Sequence, residues 1–165
     1  PNRDSLPFIE QYEFDRKWKI KHFVRGTLRL NGWAEAWAGI FNEIETLDGE
    51  AGEKRLIEMS EQFWQDNAYG ENEPDRVILC VDLKAENNNK IIWHKTYKMD
   101  AWGDTRGTAM ARLVSYPVSF AVKAIIDNQI EYGVSAAASK PSLVEEWLQD
   151  VAGLAQEFNI IDHVV

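Results

Sequence analysis

Apolar residues recur along this chain with two distinct periods, and each change of period marks the boundary of an element. Trp33 is followed by Ala36, Trp37, Ile40, Phe41 and Ile44, the three-and-four spacing of a helix with an aromatic stripe. Asn31-Gly32 precedes this segment and Asp48-Gly49 closes it. A second helix is predicted over about residues 51–65, with Leu56, Met59, Phe63 and Trp64 on its inner face. The period then shortens to two. Arg76–Leu83 and Lys90–Lys98 read as strands joined by a turn at Glu86–Asn89, where Asn tolerates positive φ, so the pair is predicted to form a β-hairpin.

Residues 104–108 lead into a long helix whose apolar face is Met110, Leu113, Val114, Val118, Ala121, Val122 and Ile125. Pro117 lies inside it and predicts a kink or break. Near the N-terminus, residues 1–16 read as loop. Residues 18–30 read as a strand, with Ile20, Phe23, Val24, Thr27 and Leu28 interleaved with Lys and Arg. Further on, Ile130–Val134 is predicted to be short and extended, and Ala136–Ser139 a loop. Ser142, with Glu145 three positions later, predicts a capped helix to about Glu157, and Ile160–Val165 a final extended piece. This order defines one α+β domain over residues 1–165, with a mixed or antiparallel sheet and helices on one face.

Composition narrows the function more than the fold. The chain is 45% hydrophobic, enough for a sizeable core. A formal net charge of −9 argues against a nucleic-acid surface, which needs clustered Lys and Arg. It leaves room for an anionic ligand held by a few placed arginines. Cys80 is the single cysteine, so no intrachain disulfide forms; its apolar neighbours predict a buried small hydrophobe and fit a reducing cytosol. No uninterrupted apolar run of about 18 residues is present, and no membrane span is expected. The chain starts at Pro1 and carries no G-x-G-x-x-G loop, so it is expected to be a piece of a longer protein and to lack its own nicotinamide site.

Candidate chemistry concentrates in three clusters. Asn2-Arg3-Asp4-Ser5 is polar and basic. Arg25, Thr27 and Arg29 share one face if residues 18–30 form a strand, and two guanidiniums flanking a hydroxyl suit a carboxylate. Their plain alternative is a solvated strand face. Thr105-Arg106-Gly107-Thr108 opens the long helix, whose first N–H groups can hold an anion; ordinary capping by Asp104, Thr105 or Thr108 is the alternative. His22, His94 and His163 stand apart in sequence, none beside a second ligand at metal spacing, so no metal is expected; His94 is expected to be exposed or satisfied.

Three motifs carry a family resemblance. Asn2-Arg3-Asp4-Ser5-Leu6-Pro7 with Arg25-Gly26-Thr27-Leu28-Arg29, Gly107-Thr108-Ala109-Met110-Ala111-Arg112 with Pro117, and Ile130 with Gly133-Val134 resemble the saccharopine dehydrogenases, in family order. The chain departs from the pattern at Leu30, where an aromatic is usual, and at Ser135–Ala138, where Pro is common. The resemblance implies a C-terminal substrate-binding and dimerisation domain of the glyceraldehyde-3-phosphate-dehydrogenase-like C-terminal type. It also implies a separate Rossmann domain for NAD or NADP, a cytoplasmic homodimer, and oxidation of a CH–NH bond in lysine metabolism, hydride transfer passing through an imine. A carboxyspermidine- or carboxynorspermidine-dehydrogenase-like enzyme of polyamine synthesis is the alternative, as is a non-catalytic ligand-binding or interaction module. The substrate is expected to be a saccharopine-like amino acid, with no nucleic-acid or membrane partner. By resemblance, Asn2 and Arg3 contact substrate carboxylates, and Thr108 and Met110 line the same cleft. Ser5, Arg25, Thr27 and Arg29 complete the expected substrate-binding set, the alternative for the last three being to organise the sheet or the dimer, with no catalytic residue assigned.

Overall fold

A computed structural model describes residues 4–164, so Asn2 and Arg3 lie outside the described residues. The chain divides into two compact units, one built from its N-terminal part to Gly70 apart from residues 11–13, the other from those three residues and 71–165.

The first unit contains α1 (Pro7–Gln11) except its last residue, α2 (Trp33–Glu45) and α3 (Gly49–Asp66). The two long helices stand where the periodicity places them. Gly32 supplies the positive φ of 80° that turns the chain into α2, and Asp48 accepts the N–H of Gly49 at the start of α3. The aromatic stripe packs on itself: Trp33 stacks on Trp37 at 5.5 Å, and Trp37 reaches Phe63 of α3 at 5.4 Å. Each such pair contributes about 0.5–1.5 kcal/mol beyond its buried area. Met59 is buried, but Trp64, expected on the inner face, is 77% exposed.

Residues 18–30 do not form a strand. An extended segment becomes a strand only by pairing with another backbone, and no described strand pairs with this one. The shared face argued for Arg25, Thr27 and Arg29 lapses with it.

The second unit is an antiparallel three-stranded sheet with two helices. It comprises β1 (Arg76–Asn87), β2 (Lys90–Trp102), α4 (Ala109–Ile126), α5 (Pro141–Ala152) and β3 (Glu157–Asp162), with strand order β1-β2-β3. The protein is therefore α+β, as its pattern predicts. The hairpin turns on Asn88 and Asn89, with φ of 49° and 59°, the two-residue geometry that matches strand twist. One register slip between Ala85 and Glu86 leaves Ile92 as the extra residue of a bulge.

Several expectations need correction here. α4 passes through Pro117 without a break. Its apolar stripe does not face a core: Val114, Val118, Val122 and Ile125 are each at least half exposed, while Ala109, Arg112 and Ala124 point inward. α4 is long and apolar enough to cross a membrane by length and composition alone, yet it packs against β1 and α5 and buries Arg112. α5 is not capped by Ser142; Pro141, with its preset φ, occupies the first turn after Lys140. The helix stops at Ala152, and residues 157–162 are strand. Residues 130–134 hold no strand. Cys80 is exposed, because the sheet around it is uncovered on both faces: its neighbours Ile78 and Leu79 point to opposite sides and are each 50% exposed.

Candidate functional site

In the first unit, the structure brings Ser5 and Arg25 together. Ser5 is buried, and its Oγ accepts the backbone N–H of Arg25 at 3.0 Å. The Arg25 guanidinium lies 4.3 Å above the Phe8 ring, and that of Arg29 5.0 Å above Trp33. Thr27 is exposed. Both guanidiniums thus rest on aromatic faces, and Arg29 Nη1 also donates to the Leu28 carbonyl at 3.1 Å.

Thr108 and Met110 open α4 in the second unit. Gly107, at φ of 116°, bends the chain into the helix, and the Thr108 hydroxyl accepts the N–H of Ala111. The next two donors are also taken. Asp75 accepts the N–H of Ala109 at 2.7 Å and of Met110 at 2.8 Å, so an internal carboxylate fills the anion position of this helix. The Met110 N–H foremost, with that of Ala109, holds the Asp75 carboxyl below its usual range. Gly103 makes room for this contact: a Cβ there would stand 2.6 Å from Asp75 Oδ1. Capping, the plain alternative, accounts for this turn. Asp75 was invisible in the sequence pattern because its partners are 34 and 35 residues away.

The rest of the Gly107–Arg112 motif builds a polar corner. Arg112 is 2% exposed and donates to Asp104 Oδ1, Gly107 O, Trp102 O and Leu154 O. Only its Nε has no partner among the described residues. Asp104 also receives Arg106 and Gln156. Arg106 foremost, then Arg112, draws the Asp104 carboxyl down to about 2.

A second cluster lies on one face of the sheet, and here the expectation of isolated histidines is overturned. His163 follows β3 and donates its N–H to His94 O at 3.0 Å, which sets the two residues side by side across adjacent strands. Their rings stack at 4.0 Å. Asp82 pairs with Thr96, two positions from His94, so alternation puts all four side chains on the same face. Asp82 Oδ2 lies 2.9 Å from His94 Nε2 and accepts the buried Thr96 hydroxyl at 2.6 Å; Thr96 Oγ1 is 2.8 Å from His163 Nε2. The Thr96 hydroxyl, then His94, keeps the Asp82 carboxyl below its ordinary range. The hairpin register could have revealed Asp82 with His94. The arrival of His163 depends on the pairing of β3, which is not local.

The fold and its two polar clusters define an α+β domain rich in placed carboxylates and arginines. Residues 1–154 match the saccharopine dehydrogenase C-terminal domain, and the chain belongs to that family, which places it in an oxidoreductase context. No solved structure matches the chain.

Proposed function

We propose that this chain is the substrate-binding and dimerisation domain of an NAD(P)-dependent oxidoreductase that acts on the CH–NH bond of a saccharopine-like amino acid in lysine metabolism, in the cytoplasm. The family match over residues 1–154 carries this reading. Saccharopine bears three carboxylates, and the basic residues of the first unit suit them. Arg25 and Arg29 are oriented by their aromatic supports, and Ser5, two positions beyond Arg3, is anchored to the Arg25 backbone. Asn2, Arg3, Arg25 and Arg29 therefore hold substrate carboxylates in this proposal, and Ser5 positions them. Thr27 lies on the same stretch, and Met110 offers an exposed apolar wall beside Thr108.

The cofactor belongs elsewhere. At the start of α4 its pyrophosphate would meet the Asp75 carboxylate, which already occupies the backbone donors, so the described residues there do not fit a dinucleotide. We assign NAD or NADP to a nucleotide-binding domain outside these residues, and the isolated chain is then inactive. The exposed stripe of Val114, Val118, Val122 and Ile125 is the surface proposed for the homodimer. The fold type proposed is the glyceraldehyde-3-phosphate-dehydrogenase-like C-terminal one.

The test is an assay of the enzyme that contains this domain, with saccharopine and each nicotinamide cofactor. Arg3→Ala and Arg25→Ala should each raise KM by about 10- to 150-fold, the loss of one charge-assisted hydrogen bond of about 1.5–3 kcal/mol, with kcat less affected. Turnover of carboxynorspermidine and not of saccharopine would overturn the substrate assignment. Unchanged KM in both variants would remove these arginines from the site.

A further inference from the structure

The cluster on the sheet face plays no part in the proposed substrate site, and its donor set has a chemistry of its own. The geometry points to a binding site for a first-row divalent transition-metal cation, zinc being the representative ion, formed by Asp82 Oδ2 and the imidazole nitrogens of His94 and His163. One ligand atom from each of the three residues lies within 4.8 Å of the others. Zinc–nitrogen and zinc–oxygen bonds of about 2.0–2.1 Å set tetrahedral ligands about 3.3 Å apart. The His94–Asp82 separation of 2.9 Å is already close to that spacing.

Two imidazoles and one carboxylate are the ligands that borderline cations such as zinc and cobalt prefer, whereas magnesium takes oxygen ligands and keeps its waters. Three protein ligands leave a fourth position for water. The cluster is accessible for it: the Asp82 side chain is 54% exposed and His94 17%. Thr96 supplies the outer support. Its buried hydroxyl donates to Asp82 Oδ2, the ligand oxygen itself, and so fixes that carboxylate's orientation.

Coordination has a definite structural cost. The rings now stack with 21° between their planes, and a metal must lie in the plane of each ring it binds. Binding therefore turns the imidazoles out of their stack. Each coordinating Nε2 is unprotonated, so each neutral ring carries its single proton on Nδ1. The ion then joins β1, β2 and the end of β3, three segments otherwise tied at this edge by backbone pairing and by the hydrogen bonds among Asp82, His94, Thr96 and His163.

The test uses the whole 165-residue chain after treatment with a chelator. Zinc titration should saturate at one ion per chain. Cobalt should give the intense visible bands of a tetrahedral N/O site, displaced by zinc. His163→Ala and Asp82→Asn should each weaken zinc binding at least 10-fold. Should a variant fail to fold, imidazole NMR on the unmutated chain decides: zinc must shift His94 and His163 and leave His22 in place, and magnesium must shift none. Equal movement of all three histidines, unchanged affinity in His163→Ala, or no saturable binding overturns the site.

Discussion

Replacing Arg112 with Met keeps much of the side-chain volume and removes a guanidinium that joins four acceptors: Asp104 Oδ1, Gly107 O, Trp102 O and Leu154 O. Removing one partner of a buried charge network costs about 3–5 kcal/mol. Two features pull the expectation toward the lower end. Asp104 retains Arg106 and Gln156, so no carboxylate is orphaned. The Arg112 Nε has no partner among the described residues, so the native guanidinium is itself imperfectly satisfied. A loss of about 3 kcal/mol remains from the four lost hydrogen bonds, with the Leu154 carbonyl the most affected, since Gly107 O keeps the Asp104 N–H and Trp102 O keeps Gln156. With a urea m-value of about 2 kcal/mol/M, this moves the unfolding midpoint down by about 1.5 M. Urea titration followed by far-UV circular dichroism measures it, with the m-value checked for constancy. A midpoint shift under about 0.5 M at unchanged m would refute the view that the corner stabilises the domain through Arg112.

Other outcomes follow from the same geometry. Gly103→Ala drives a Cβ to 2.6 Å from Asp75 Oδ1 and should cost about 1–3 kcal/mol, read as a lowered Tm. Asn89→Gly should raise stability by about 0.5 kcal/mol, because Gly adopts the φ of 59° without the left-handed penalty; an unchanged or lowered Tm contradicts this. Asp104, lowered from 3.8 to about 2, is deprotonated more readily folded than unfolded. Its stabilisation is present above pH about 4 and is lost as pH falls toward 2. Asp104→Asn should flatten the fall of Tm across that window, and an unaltered slope would show that other carboxylates govern it.

What the sequence made legible followed the range of the interactions. α2, α3 and the hairpin rest on local periodicity, Gly32 and the Asn88-Asn89 turn, and they stand where the pattern puts them. Residues 18–30 carry a strand-like pattern, but pairing is a property of two segments, and this one has no described strand partner. Ser142 carries a capping signature that lost to Pro141, one residue earlier. The start of α4 was recognised as a place for an anion; that the anion is Asp75 depends on a contact across the whole hairpin. His94 and His163, 69 positions apart in the numbering, meet only because β3 returns beside β2. The family motif at Gly107–Arg112 was legible as a motif, whereas its work as a polar corner emerged only from the carbonyls it gathers.

The position of Asp75 has a consequence for the order in which the second unit assembles. Its backbone carbonyl receives Gly103 at the far end of the hairpin, while its carboxylate receives the first donors of α4. A single residue thus ties the closing of a 27-residue loop, residues 76–102, to the nucleation of a helix. Helix nucleation is the costly step of helix formation, and here the group that lowers its cost is delivered only when β1 and β2 have met. Hydrogen exchange should therefore release the Ala109 and Met110 amides together with the central hairpin amides, as one cooperative unit.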